Sequence, residues 1–238
     1  MIPIKGYATF DPLKHCWLGS GFQTEWFRDL PIYNDNRVMD PLKRIAEETE
    51  EDYQSLETIL KDAGVHTYRS FLDIDKVNSL KHINKPPTVP RDYFAVIGET
   101  LYAVGEPAVG YANVLKQIKN KNLKIEQCAG SLSTADICRV GKDLWWDLDK
   151  FLTQESIDKY KKIFEDDGFR VHISHRGYHQ DGEFCVVKPG CIVSLYDIKD
   201  YEIEFPGWDV LYLPDQSWSK MNPFTQMKNK VGGQWWLK

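Results

Sequence analysis

Apolar positions in this chain cluster in runs of about five residues separated by glycine turns, with longer helical stripes between them. Residues 93–97 (YFAVI) lead into Gly98-Glu99 and then residues 100–104 (TLYAV). Two strand-like runs around a two-residue loop that begins with Gly predict a hairpin. Residues 136–140, Gly141-Lys142 and residues 143–146 repeat that layout, and residues 184–187, Lys188-Pro189-Gly190 and 191–195 repeat it again. A fourth copy at the front would use residues 13–18 followed by Gly19-Ser20-Gly21.

Helical stripes follow the hairpins. Asp40-Pro41 reads as N-cap and first helical residue, with Leu42, Ile45, Ala46, Tyr53, Leu56, Leu60 and Ala63 on one face and Gly64 closing it. Thr153 precedes a second helix carrying Ile157, Tyr160, Ile163 and Phe164, closed by Gly168. Residues 111–121 predict a shorter one. Strands follow at 65–69, 123–125, 169–173 and 208–213. A ββαβ unit with a period of roughly 40–50 residues predicts units stacked around an axis rather than one open sheet.

The position of the acids within the units carries the chemistry. Asp92 opens the first strand of one hairpin, Asp136 opens the next, and His179 with Asp181 opens the third, about every 44 residues. Equivalent edges of a ring of repeats converge on its axis, so these side chains would share one pocket. Three carboxylates and an imidazole suit a guanidinium, a planar permanent cation whose forked donors carboxylates match. His179 can move protons near neutrality.

Composition narrows the field further. A net charge of −5 with no basic stripe argues against nucleic acid. Eight Trp require a core or pocket built partly of rings. The five cysteines form no CxxC pair, and no apolar run approaches membrane length, which reads as reduced thiols in a cytoplasmic protein without membrane contact. No phosphate loop or dinucleotide fingerprint is present, so no cofactor is expected. A metal site from His172, His175, His179 and Asp181 is disfavoured, because that spacing straddles a strand end. The oligomeric state stays open, a homodimer included.

The same residues carry a resemblance. Pro90-Arg91-Asp92 before a strand and Gly98, the segment 135–143 (ADICRVGKD), and His179-Gln180-Asp181 with Pro189-Gly190 resemble the PRD, ADxxRxGxD and HxD…PG segments of the amidinotransferases, within the pentein guanidino-group-modifying superfamily. The resemblance runs from about Phe10 to about Asp215. It implies a single domain over 1–238, an α/β-propeller of ββαβ repeats with about four of five present. It implies Asp136 and His179 as catalytic residues beside a cysteine, and Asp92 and Asp181 as holders of the guanidinium of arginine. The activity implied is transfer of the amidino group of L-arginine to an amine such as glycine through a covalent cysteine intermediate. No cysteine here stands in the family's Gly-Gly-x-His-Cys context, so the expectation is a chain that stops short of its nucleophile. Lys199 stands where the family carries an arginine for the substrate's carboxylate. Two alternatives remain: hydrolysis of the guanidine, as in the arginine deiminases, and binding without chemistry.

Overall fold

The glycine turns do what the sequence requires of them. In the computed structural model, Gly98 (φ 61°) and Gly141 (φ 68°) take positive φ between paired strands, and Gly64 (φ 78°) and Gly168 (φ 81°) do so just after helices. The structure describes residues 2–29, 31–71, 88–104, 109–118, 124–127, 132–148, 152–175, 180–194 and 201–213.

The chain divides into two compact units. The first comprises Met1–Leu13, Arg91–Glu106 and Lys119–Gln216, the second Lys14–Pro90, Pro107–Ile118 and Ser217–Lys238.

Unit 1 holds three sheets of one design. β3 (Phe94–Ile97) pairs antiparallel with β4 (Thr100–Ala103), and β5 (Lys124–Gln127) runs parallel to β4. β6 (Ile137–Val140), β7 (Asp143–Asp147) and β8 (Arg170–Ser174) repeat this order. So do β9 (Phe184–Lys188), β10 (Cys191–Ser194) and β11 (Asp209–Tyr212). Each is a hairpin extended by a crossover strand, and none of the described sheets closes on itself.

α3 (Gln154–Asp166) makes the β7-to-β8 crossover. It starts where the sequence places it, with the Thr153 hydroxyl accepting the Ser156 N–H at 3.2 Å. Tyr160 and Phe164, one turn apart and both fully buried, meet Tyr102, Leu144 and Trp146 in the main core. A second cluster joins Trp145, Phe184, Val186, Ile192, Tyr201 and Phe205, with Trp145 stacked between His172 at 4.4 Å and Phe205 at 4.6 Å.

Unit 2 is built on β1 (His15–Leu18) and β2 (His66–Arg69), paired in parallel, with α1 (Asn36–Asp62) between them in sequence. α1 begins earlier than the Asp40-Pro41 reading. Asp35 is the N-cap, its carboxylate accepting the Arg37 N–H at 3.0 Å and also pairing with the Arg37 guanidinium. Pro41 therefore lies inside the helix, where it leaves the Arg37 carbonyl without its helical donor. The helix predicted over 111–121 shrinks to one turn, α2 (Ala112–Leu115). β1 has no hairpin partner among the described residues, so the front copy of the repeat is a β–α–β unit. No described helix is long and apolar enough to cross a membrane.

Candidate functional site

Each hairpin of unit 1 is preceded by a tight turn that carries an acid. Asp92 ends the 3-10 turn Pro90–Asp92 before β3, and Asp136 ends the turn Thr134–Asp136 before β6. Asp181 lies in α4 (Gln180–Glu183), the single helical turn before β9. α4 packs on the Thr134–Asp136 turn and on β6, and that turn packs on β3. The three acid-bearing segments thus meet. His179, the fourth predicted site residue, lies outside the described residues, as do Lys199 and Cys128.

Arg91 ties the segments together. Its Nη2 donates to the Ile137 carbonyl at 2.6 Å, one residue past Asp136, and its Nε lies 3.5 Å from Asp181 Oδ2. Its own carbonyl accepts from the Thr134 hydroxyl at 2.6 Å. Burial pulls this guanidinium below its usual value, while Asp181, Asp136 and Asp92 pull it upward. The sequence argument has the acids awaiting a cation from outside; the chain supplies one of its own. Arg91 was legible only as a letter of the PRD segment, because its role depends on partners 46 and 90 residues away.

The three acids differ in setting. Asp136 is buried, 2% exposed, whereas Asp92 is exposed and Asp181 has 38% of its side chain in contact with solvent. A buried carboxylate is retained only where its environment offsets lost hydration. Burial, joined by the neighbouring Asp92 charge, pushes the Tyr93 phenol up to about 12.

Beneath the acids lies a second arginine. Arg139 in β6 donates to the Val96 carbonyl of β3, and burial with the nearby Arg91 charge lowers it to about 10. Gly6 is pressed against it: a Cβ there would clash with the Arg139 guanidinium.

The cysteines divide. Cys138 and Cys191 are buried in β6 and β10, as packing residues should be, but Cys185 of β9 is exposed. Burial pushes the Cys138 thiol up to about 12 even with Arg139 and Arg91 nearby, and burial raises Cys16 as well. Neither is set up as a thiolate. Among the described residues no group of three or more His, Cys, Asp or Glu could hold a metal ion. His172 is engaged elsewhere, its Nε2 lying 2.7 Å from Asp143 Oδ1.

Comparison with solved structures gives the fold. SxtG, an amidinotransferase of the saxitoxin biosynthetic pathway from Microseira wollei, superposes with a TM-score of 0.64 at 18% identity, over 90% of this chain and 77% of its own. The inosamine-phosphate amidinotransferase StrB1 of Streptomyces griseus gives 0.65 at 15% identity, over 89% and 76%. DDAH of Pseudomonas aeruginosa, solved with citrulline, gives 0.56 at 13% identity, over 85% and 76%. The chain thus has the fold of the pentein guanidino-modifying enzymes. No family model matches the sequence, and no curated protein matches it significantly.

Proposed function

We propose that the chain binds a guanidine substrate at the edge where Asp92, Asp136 and Asp181 lie, and serves transfer of the amidino group of L-arginine to an acceptor amine such as glycine. The observation that supports this most is the meeting of three acid-bearing turns, each leading into a different sheet, with the Arg91 guanidinium 3.5 Å from Asp181 and under the electrostatic influence of Asp136 and Asp92. Three carboxylates against the guanidinium groups of Arg91 and Arg139 leave a net negative charge for a further planar cation, whose forked donors carboxylates match.

In this reading Asp92 and Asp181 carry the substrate cation, and Asp136 partners His179. A thiolate adds to the guanidinium carbon, and the bond from that carbon to the ornithine nitrogen breaks. His179 gives the departing amine its proton, leaving the amidino group on sulfur. The acceptor amine then attacks that carbon, the carbon–sulfur bond breaks, and His179 takes a proton back. Neither Cys16 nor Cys138 is assigned as the thiol, since burial disfavours both thiolates. Holding the cation against fixed carboxylates supplies orientation.

The likeness to DDAH keeps hydrolysis as the second reading, in which water resolves the intermediate. One assay separates them. With a nucleophilic cysteine in place, incubation with arginine and glycine should yield guanidinoacetate and ornithine; citrulline in their place establishes hydrolysis. Failure to bind arginine at millimolar concentrations overturns the proposal.

A further inference from the structure

A second polar chain lies buried at the strand ends of unit 1, beside the acids. β7 and β8 run parallel with their last residues, Asp147 and Ser174, in register. The Ser174 hydroxyl donates to Asp147 Oδ1 at 2.9 Å, and Gln180 Nε2 donates to Ser174 Oγ at 3.2 Å. Exposure is 1% at Asp147, 5% at Ser174 and 0% at Gln180. None of the three is marked in the sequence, because a residue at a strand end gives no sign of a partner 27 positions away.

This chain has a direction. Ser174 has one proton and gives it to the carboxylate, so its oxygen accepts from Gln180. The Gln180 amide is thereby oriented with its nitrogen toward Ser174 and Oε1 away from it. That Oε1 is buried and has no hydrogen-bond partner among the described residues. Three polar side chains without solvent are costly packing material, and such a network is held where it fixes geometry.

Gln180 opens α4 and is followed directly by Asp181. Its side chain is drawn inward, while that of Asp181 reaches Arg91. The other end of α4 is held in the same way: Ser194, the last residue of β10, donates to the Glu183 carbonyl at 3.1 Å and meets Tyr201 Oη at 2.5 Å. One helical turn is thus fastened at both ends by serines that terminate strands.

We propose that Asp147, Ser174 and Gln180 form a positioning relay that clamps α4 and holds the Asp181 carboxylate at the guanidinium site. The relay's consequence for ligand rests on the guanidine-binding reading above; the clamp itself does not. Its members are positioning residues. They act through the placement of Asp181.

The test is hydrogen exchange of the full chain by mass spectrometry, paired with arginine titration by calorimetry. In Ser174→Ala, amides 180–183 should exchange about 10-fold faster, on the order of one lost hydrogen bond, while β3–β4 and unit 2 keep their rates. Arginine affinity should fall by about 5–10-fold with little change in the melting temperature. Asp147→Asn keeps the shape but weakens the acceptor, so it should give the same pattern at about 2–3-fold, and it carries the test if Ser174→Ala does not fold. Unchanged exchange at 180–183, or a uniform rise across all of unit 1, overturns the relay. If the unaltered protein binds no arginine, the guanidine reading fails while the exchange rates still decide the clamp.

Discussion

The two units bury different things. Of the buried polar residues described, Thr100, Thr134, Asp136, Asp147, Ser174, Gln180, Glu183 and Ser194 all belong to unit 1, and only Ser70 to unit 2. Unit 2 meets its polar needs in half-open settings. Arg69 there binds Glu50 at 2.8 Å and Glu57 at 3.5 Å with 20% of its side chain still exposed. Such pairs add modest stability and demand no exact placement. Unit 1 instead places its buried polar groups at strand starts and ends, where the turns carrying Asp136 and Asp181 emerge. Polar groups are withdrawn from water where their orientation matters, and in this chain that is unit 1.

The comparison can be broken first at its apolar support. Trp146 of β7 is fully buried, with its ring edge-on to Phe164 at 6.0 Å. Trp146→Ala should cost about 3–5 kcal/mol in urea unfolding followed by tryptophan fluorescence. A loss below about 1 kcal/mol contradicts the core placement. At the site, Asp181→Asn should weaken arginine about 10–100-fold while changing the melting temperature little, the scale of losing one charge-assisted contact. Asp136→Asn should chiefly lower turnover, so a kcat unaffected by that change counts against its role.

Smaller effects test the turns. Gly98 holds φ at 61° with Phe169 3.2 Å from where a Cβ would stand, so Gly98→Ala should cost about 1–2 kcal/mol. Gly190 takes φ 78° with open space around it and should cost less on the same urea scale.

The smallest effect belongs to unit 2. His15 stacks on His66 at 5.2 Å with its Nδ1 3.0 Å from the Tyr68 hydroxyl, and burial followed by the His66 charge lowers its pKa from 6.5. A lowered folded pKa gives stability that is present above the unfolded value and is lost as pH falls toward the folded one. The melting temperature should therefore drop slightly from pH 7.5 to pH 5.5, and His66→Gln should blunt that drop. An unaltered drop in the variant removes the histidine pair from the account.

Local signals carried most of the fold. Glycines of positive φ marked the turns, Thr153 marked a helix start, and alternation placed the hairpins within a residue or two. The sequence places the start of α1 at Asp40, because Pro41 fits a first helical position; the structure starts it at Asp35, which caps the helix through its own bonds to Arg37. Within the candidate site, Asp92, Asp136 and Asp181 were legible because the repeat marks equivalent edges. Arg91, Asp147, Ser174 and Gln180 were not, since their roles arise from contacts between segments that only folding brings together. His179 falls outside the described residues, so its part stays with the proposal.

In the proposed function, carboxylates on the turns that lead into three sheets form one cation site. Calorimetric titration of the unaltered protein with arginine and, separately, with its neutral isostere citrulline tests that claim most directly. The account predicts that arginine binds at least about 10-fold more tightly, because only the guanidinium carries a charge for Asp92, Asp136 and Asp181 to meet. Equal affinity for the two, or tighter binding of citrulline, would contradict it.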